Sequence, residues 1–457
     1  MHLSQLPLAI MKEFLKSLFS KKLTTYIIIF GMHFMYFIMS ITFQNIYLVD
    51  SFGYLFQAEN LMQYGSWYAE DWHAPILIDY FSFRPPLYAS FIGIIKFIIN
   101  SNYAVMFIQN ILSISTLLLV INMAKRMAIS SIYINLALLT MLLFAPTYII
   151  MANMIMAETV FCFIIMVVLY AAFRLSYQYH IKYLFIITLG CSAAILTKPV
   201  ALFLPLLLVT YFLIVWQKQK LIAIKSAVII ILFPTITFHL ICLQQQHQTE
   251  YYHYTSISAV TQQRYHARYT LANKFGENIA ESWNDSCKTE LAKAPDFKTR
   301  YIQMNDMGIQ VLTAYPITFL KLYTKGVATF FADPGRHDIF TFFGWRENEK
   351  TGLFHRSQSQ GAKAIVEALN TMPITGLIIL LFSLLANMLA IVALAAFAWH
   401  EKSRQSRLIL MLVVYFALAT GMLGVARYRT IIFPELLLCV ALFFQTILTR
   451  FKLHSGK

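Results

Sequence analysis

Two isolated carboxylates at the ends of long apolar stretches are the groups in this sequence best placed for acid–base chemistry. Asp50 follows the first apolar stretch, and Glu158 begins a later one. The apolar interior of a membrane raises the pKa of an adjacent carboxyl group, which brings it toward the range of a general base. Structural alternatives stay open, because Asp50 is also a favoured helix N-cap residue and Glu158 is also favourable near a helix N-terminus.

Four basic residues have the chemistry of a phosphate site. Arg84 precedes a proline pair that suits a helix start, Lys198 lies in a short turn before Pro199, and Arg427 and Arg429 flank Tyr428. Guanidinium groups are planar and bind phosphate through paired hydrogen bonds. The alternatives are contacts with lipid headgroups and, for Arg84, an ion pair with an acid of the same loop.

The composition indicates that membrane helices must position these residues. The chain has 457 residues, of which 59% are hydrophobic and 12% are charged, with a mean hydropathy of +0.62. Soluble domains carry about 25% charged residues, so a polytopic membrane protein is expected. The net charge of +15 is scattered between apolar runs, which argues against a nucleic-acid partner. The five cysteines form no disulfide framework.

Stretches of about 20 apolar residues can span a bilayer, and ten are expected to do so. They lie near 24–44, 103–123, 131–150, 158–175, 182–197, 199–216, 225–243, 374–399, 408–425 and 430–449. The stretches 85–99 and 182–197 are both shorter, and the basic clusters fall on one side of the membrane only if 182–197 crosses and 85–99 does not. Residues 85–99 are therefore interpreted as interfacial or re-entrant. This is an all-α polytopic membrane fold with about ten transmembrane helices, interfacial helices in the first extracytoplasmic loop and a small extracytoplasmic segment.

Basic clusters predict the orientation, because Lys and Arg collect in cytoplasmic loops. Both termini are then cytoplasmic; the clusters lie at Lys12 to Lys22, Lys125-Arg126, Arg174 with Lys182, Lys218 to Lys225, Lys402 to Arg407 and Arg450 to Lys452. Every candidate site residue falls on the opposite, extracytoplasmic face. No charge is expected inside the spans.

The chain divides into three predicted parts. Residues 1–243 form an N-terminal transmembrane catalytic module, 244–373 an extracytoplasmic segment and 374–457 the C-terminal transmembrane helices. Helices are predicted at 261–281 and 300–312, and an interfacial amphipathic helix at 316–331. Asp333 to Gly335 and Phe343 to Trp345 read as turns.

Metal and nucleotide motifs are weak. His337-Asp338 and the group Tyr251, His253 and His266 lack the spacing of a zinc site, and solvated loop histidines explain them better. No Gly-x-x-x-x-Gly-Lys-Ser/Thr string occurs. The sequence leaves open a divalent cation beside the carboxylates.

The ordered motifs resemble the GT-C superfamily of integral-membrane glycosyltransferases, in particular the dolichyl-phosphate-mannose protein mannosyltransferases and the bacterial aminoarabinose transferases. The resemblance runs along nearly the whole chain. Its motifs are Asp50, Gln57-Ala58-Glu59-Asn60-Leu61 with Tyr64-Gly65, Arg84-Pro85-Pro86-Leu87, Ala157-Glu158-Thr159, Gly190 to Pro199, Ala426-Arg427-Tyr428-Arg429 and Pro434.

The resemblance implies a donor sugar on a polyprenyl phosphate and an acceptor on the extracytoplasmic face of a bacterial inner membrane. Asp50 matches the catalytic acid, and Glu158 the second acidic position. Arg84, Lys198, Arg427 and Arg429 match positions suited to the carrier phosphate, with Tyr54, Glu59 and Tyr428 expected near the substrate. The chain departs from the pattern at Ser51, where many relatives carry a second acid, and at Arg84, which is often lysine.

Two other classes compete with the enzyme. A transporter or flippase of an anionic lipid or solute predicts charges at the bilayer midplane and related halves. A non-catalytic scaffold would tolerate loss of Asp50 and Arg427.

Overall fold

The computed structural model describes residues 19–345 and 372–455, and side chains as far as residue 449. All regular elements in these two ranges are helical, which confirms the all-α class. The long apolar helices are Lys22–Phe43, Asn102–Arg126, Glu158–Tyr177, Lys220–Thr249, Ile374–His400, Arg404–Thr420 and Phe433–Ser455. The short apolar helices are Leu87–Ile98, Ser131–Phe144, Ile181–Thr197 and Leu204–Val215.

The remaining described helices lie in loops or between spans. They are Val49–Tyr64, Thr147–Ala152, Ile257–Val260, Arg268–Phe275, Glu277–Leu291, Phe297–Ala314, Pro316–Ala332, Arg336–Phe343 and Ala426–Arg429, with a π-helical turn at Thr261–Ala267 and 3₁₀ turns at Ile78–Phe81, Pro199–Ala201, Gly421–Leu423 and Thr430–Ile432.

Helix length identifies seven of the predicted spans. Seven helices in the described ranges are long and apolar enough to cross a membrane. Leu87–Ile98 has only 12 residues, which at about 1.5 Å per residue reach about 18 Å, well short of a hydrocarbon core of about 30 Å. The prediction that 85–99 does not cross therefore agrees with its helix length. The three other predicted spans correspond to the shorter helices Ser131–Phe144, Ile181–Thr197 and Leu204–Val215, the last also of 12 residues, so the count of ten spans stays a prediction.

Contacts at the two ends of the bundle support the alternation of the helices. At one end, the Gln445 side chain accepts from the Ser130 backbone N–H at 2.8 Å, and Gln405 donates to Ser176 Oγ at 3.1 Å. These contacts bring together the turns that hold the predicted cytoplasmic Lys and Arg clusters. The candidate site residues meet at the other end. Lys12 and Lys16 lie outside the described residues, and the cytoplasmic identity of either end stays a prediction.

The main hydrophobic core joins the first and last parts of the chain. Tyr148 stacks on Phe433 with ring centroids 4.2 Å apart, and residues from both sides of the 244–373 segment belong to one buried cluster. The division into three parts stays a prediction, but its two membrane parts share this core.

One acid inside the last span contradicts the expectation of uncharged spans. Glu435 is fully buried near the start of Phe433–Ser455, and neither carboxylate oxygen has a hydrogen-bond partner in the described ranges. Glu435 is the third residue of this helix, directly after Pro434, and the residues around it are apolar. The stretch was therefore interpreted as a span without charge.

The described part of the 244–373 segment forms helices that pack on the first loop. The predicted helix at 261–281 is wrong as a single element, because Gly276 adopts φ +94° and ends Arg268–Phe275. The helix predicted at 300–312 lies within Phe297–Ala314, and the one at 316–331 matches Pro316–Ala332. Both predicted turns form, since Gly335 and Gly344 adopt φ of +83° and +68°.

The segment and the first loop are joined by polar contacts. Arg300 Nε lies 2.8 Å from Asp79 Oδ2, and the hydroxyl of Thr255 donates to the Ser82 carbonyl at 2.8 Å. His253 Nε2 contacts Ser82 Oγ at 2.7 Å. His253 is therefore a buried structural residue, and its interpretation as a solvated loop histidine was wrong.

Candidate active site at one end of the helix bundle

Asp50 is held between two arginines from distant parts of the chain. Its Oδ1 lies 2.9 Å from Arg84 Nη2, and its Oδ2 lies 2.9 Å from Arg427 Nη1. The N-cap of the helix Val49–Tyr64 is Leu48, so the N-cap interpretation of Asp50 was wrong. Its carboxylate bridges the first loop and the turn that precedes the last helix.

The electrostatics of Asp50 also differ from the expectation. Burial raises its pKa, but the positive charges of Arg427 and Arg84 outweigh burial and lower the pKa from 3.8 to about 2. The expected rise toward the general-base range was wrong. The error arose because the sequence did not show that two guanidinium groups would meet this carboxylate.

A second ion pair lies beside the first. Lys198 Nζ is 2.8 Å from Glu158 Oε1, and the Glu158 side chain is only 1% exposed. Burial lowers the pKa of Lys198, but Glu158, Tyr54 and Tyr428 together raise it by more, so the pKa lies above its usual value. The Tyr428 ring lies 5.4 Å from Lys198 Nζ and 5.0 Å from Arg427 Cζ. The five charged residues Asp50, Arg84, Glu158, Lys198 and Arg427, here called the charged cluster, thus come from separate segments.

The first-loop helix Val49–Tyr64 positions Arg84. Gln57 Nε2 donates to the Arg84 carbonyl at 3.0 Å, and Asn60 Nδ2 donates to the carbonyls of Tyr68 and Glu70, each at 2.8 Å. A Cβ at Gly53 would lie 2.9 Å from Arg84 Nε, so glycine is required for this close approach. The polar motif residues at 57 and 60 therefore shape the loop that carries the arginine.

The ring of Tyr54 packs against the guanidinium group of Arg84. It is buried, and Arg84 Cζ lies 4.4 Å from its ring centroid, within the range of a cation–π contact. Asp50, Tyr54 and Ala58 share one face of the helix, as their spacing predicts. Tyr54 therefore helps to position Arg84, and its expected contact with the substrate stays a prediction.

Side-chain amides of Asn102–Arg126 position Glu158. Gln109 Nε2 donates to the Met154 carbonyl at 2.8 Å, and Asn110 Nδ2 donates to Asn153 Oδ1 at 2.9 Å. Buried irregular backbone requires such partners. They hold the non-helical residues before Glu158 in one conformation, which places its carboxylate against Lys198.

Arg429 has a different role from the one expected. Its guanidinium group is buried and donates to the carbonyls of Phe330, Phe331 and Asp333 at 3.0, 2.8 and 2.8 Å. These contacts hold the end of Pro316–Ala332, so the prediction that Arg429 binds a carrier phosphate is corrected. Asp333 strengthens the same junction, since its Oδ2 accepts from the Ala426 backbone N–H at 2.7 Å.

Glu59 is also corrected. It is exposed, and its Oε1 accepts from Gln63 Nε2 at 3.1 Å. Nine residues separate it from Asp50, and at about 100° per residue this spacing places the two side chains on opposite faces of the helix. Glu59 therefore does not contribute to the charged cluster.

Two residues near the cluster were missed as candidates. Asp338 is 4% exposed; burial raises its pKa from 3.8 to about 7, and Arg427 opposes this rise. Tyr265 projects from the π-helical turn, and its pKa is raised by burial and by the charges of Asp50 and Tyr428. Asp338 was weighed only as half of a His-Asp pair, and the side that Tyr265 faces depends on the π-helical turn.

A preformed cluster of metal-ligating side chains is absent from the described residues. They contain no group of three His, Cys, Asp or Glu side chains suited to one. Within the cluster, both oxygens of Asp50 contact arginines, and Glu158 contacts Lys198. We therefore derive no catalytic step from a bound metal.

Two buried polar atoms of the cluster lack a hydrogen-bond partner. Arg84 Nε and Glu158 Oε2 are buried without a hydrogen-bond partner in the described ranges. Buried polar atoms are rarely left in this state. The cluster also contains three cations and two carboxylates, so it carries an excess positive charge that an anion would balance.

Comparisons with solved structures return membrane proteins. No protein-family model and no curated protein matches this sequence. One similar structure is the archaeal oligosaccharyltransferase AglB from Archaeoglobus fulgidus in complex with an inhibitory peptide and a dolichol-phosphate; the identity is 12% and the TM-score 0.45. The match covers 94% of this chain and 52% of that one, so this chain spans about half of its length.

A second similar structure is ArnT from Cupriavidus metallidurans in the apo state. The identity is 14%, the TM-score is 0.35, and the match covers 89% of this chain and 77% of that one. At these identities and TM-scores, the function proposed below rests on the geometry of the site.

Proposed function

We propose that this chain is a membrane glycosyltransferase that moves a sugar from a polyprenyl-phosphate carrier to an extracytoplasmic acceptor in a bacterial inner membrane. The observation that carries the proposal is the charged cluster, in which Arg84, Arg427 and Lys198 lie beside Asp50 and Glu158 at one end of the bundle. A phosphate on a long apolar chain can reach this position from the bilayer. A phosphate without an apolar chain would not need a binding site at the end of a bundle of membrane helices.

The reaction is a substitution at the anomeric carbon of the sugar. The acceptor oxygen or nitrogen forms a bond to this carbon while the bond to the phosphate oxygen breaks. The electron pair stays on the phosphate, and Asp50 takes the proton of the acceptor. Arg84 and Arg427 stabilise the negative charge that develops on the phosphate, because fixed cations act strongly in a partly buried site.

The other residues of the site keep this arrangement in place. Glu158 holds Lys198 beside Tyr428, so that the ammonium group adds to the positive field around the phosphate. Tyr428 is half-buried and forms a ring face against which the sugar or acceptor can pack. The acceptor belongs to the cell envelope and is a glycan, a lipid or a protein.

The test compares purified wild type with Asp50→Asn in proteoliposomes that contain radiolabelled polyprenyl-phosphate sugars and a panel of envelope acceptors. We expect transfer or sugar release by wild type and its loss in Asp50→Asn. Asp306→Asn, an exposed acid outside the cluster, is the matched control and should keep full activity. Equal activity in wild type and Asp50→Asn would refute the proposal.

A transporter remains the second candidate because Glu435 is a buried acid in the last span. The same proteoliposomes decide between the two. Movement of labelled lipid across the bilayer without sugar transfer, lost in Glu435→Gln but not in Asp50→Asn, would favour transport.

A further inference from the structure

We propose that Asp50 and the carrier phosphate use the same two guanidinium groups, those of Arg84 and Arg427, in alternation. Asp50 occupies them when the site is empty, and the phosphate takes them over as Asp50 accepts the proton. This inference rests on the proposed function and adds to it a coupling between proton transfer and departure of the carrier.

The geometry of the two ion pairs supports the exchange. Each guanidinium group contacts a different oxygen of Asp50 at 2.9 Å, and the side chains of Arg84 and Arg427 remain 14% and 22% exposed. Asp50 itself is 32% exposed. The two arginines are thus occupied but accessible, so an incoming anion meets them together with their present partner.

The neighbouring cations are not free to take part in this exchange. Lys198 is paired with Glu158, whose side chain is almost fully buried. Arg429 donates to three backbone carbonyls that define the end of Pro316–Ala332. Only Arg84 and Arg427, of the four basic residues predicted from the sequence, have a partner that changes its charge during the proposed reaction.

The charges balance through the reaction. The donor phosphodiester carries one negative charge, and the carrier gains a second one when its bond to the sugar breaks. At the same time Asp50 loses its negative charge by accepting the proton of the acceptor. The two guanidinium groups therefore face the same total negative charge before and after transfer, and only its position changes from the carboxylate to the phosphate.

This exchange explains how a strongly acidic carboxyl group can serve as a base. While both arginines contact Asp50, its carboxylate is a weak base, since the pKa of Asp50 is about 2. An anionic phosphate that draws the guanidinium groups away raises that pKa toward its usual range. By linkage, protonation of Asp50 must strengthen phosphate binding by the same factor.

The experiment uses Asp50→Asn, because asparagine is the neutral analogue of protonated aspartate. Binding of farnesyl phosphate, a short isoprenyl phosphate, is measured calorimetrically on the purified full chain in nanodiscs of zwitterionic lipid. We expect Asp50→Asn to bind about tenfold more tightly than wild type, the order of one partly buried charge pair. Asp50→Ala provides a second variant with the same expected direction.

Asp79→Asn is the matched control. Asp79 is paired with Arg300 at 2.8 Å outside the cluster, so this variant makes the same change of net charge away from Arg84 and Arg427. Its affinity should equal that of wild type. A gain in Asp79→Asn equal to that in Asp50→Asn would assign the effect to overall charge and overturn the exchange.

The outcomes separate the two proposals. If Arg427→Ala loses binding but both Asp50 variants bind as wild type or more weakly, the exchange is wrong and the phosphate site stands. If farnesyl phosphate binds to no variant or binds equally to Arg427→Ala, the phosphate site itself is wrong and both proposals fall.

Discussion

Arg427 and Arg429 lie two residues apart on one short helix, and their guanidinium groups serve different structures. Arg427 contacts the carboxylate of Asp50, while Arg429 contacts backbone carbonyls at the end of Pro316–Ala332. The helix Ala426–Arg429 therefore connects the charged cluster to the 244–373 segment. Asp333 closes the junction through the Ala426 backbone N–H.

This difference predicts opposite phenotypes for the two alanine variants. Arg429→Ala leaves buried carbonyls without donors, which should lower the free energy of unfolding by about 3 kcal/mol. Arg427→Ala should retain the fold and lose transfer activity. Thermal unfolding in detergent, measured beside sugar transfer, checks both. An Arg429→Ala protein as stable as wild type would contradict the positioning role.

Asp338 predicts a pH-dependent stability. Its pKa is about 7 in the folded state against 3.8 for the ordinary group, so the folded protein binds this proton more tightly. Stability from this group is complete below pH 4 and is lost as pH rises through 7. Asp338→Asn cannot ionise and should be more stable than wild type at pH 8, by at most about 4 kcal/mol.

The measurement for Asp338 is thermal unfolding at pH 5 and pH 8. The groups whose charges act on it are Arg427, Asp333, Glu158 and Arg429, so an Asp338→Asn protein should also change the electrostatics of the cluster. Asp306→Asn, which alters an exposed acid, is the control. A stability difference that is the same at both pH values would exclude ionisation of Asp338 as the cause.

The close contact between Gly53 and Arg84 predicts that Gly53→Ala, which adds a single methyl group, lowers the activity. A Cβ at this position would lie 2.9 Å from Arg84 Nε and 3.4 Å from the Ala69 carbonyl oxygen. Gly53→Ala should displace Arg84 from Asp50 and reduce transfer by about tenfold or more, as misplacement of a catalytic group does. The readout is kcat for sugar transfer.

Gly31→Ala is the matched control for Gly53→Ala. Gly31 lies in Lys22–Phe43, and a Cβ there would meet no atom within 4 Å. This variant should retain activity and should be slightly more stable, since alanine is favoured over glycine in helices by about 1 kcal/mol. Equal activity of the two variants would show that Arg84 does not need its present position.

The buried ion pair predicts that substitutions of Glu158 and Lys198 have strongly coupled effects on the free energy of unfolding. Glu158→Gln leaves the ammonium group of Lys198 without its partner at 2.8 Å, and breaking a buried ion pair costs about 3 kcal/mol or more. The double variant with Lys198→Met should recover part of that loss. A double-mutant cycle on unfolding free energies checks this, and a coupling near zero would mean that solvent screens the pair.

The sequence was sufficient for the features that depend on composition and length. Apolar stretches of spanning length predicted the helices, and the short stretch at 85–99 was set apart by its length together with the positions of the basic clusters. The common sidedness of Asp50, Glu158, Lys198 and Arg427 followed from counting spans, because each crossing reverses direction. The local turns at Gly335 and Gly344 followed from the residue types that tolerate positive φ.

Only the tertiary structure decided how the charges are paired. Arg427 meets Asp50 across almost the whole length of the chain, and the neighbouring Arg429 turns to backbone carbonyls, although both arginines have the same local sequence environment. Helical periodicity would have placed Glu59 opposite Asp50, but it does not show which face is buried. A pKa depends on burial and on charges within a few ångströms, and these distances are set by packing between segments that are remote in sequence.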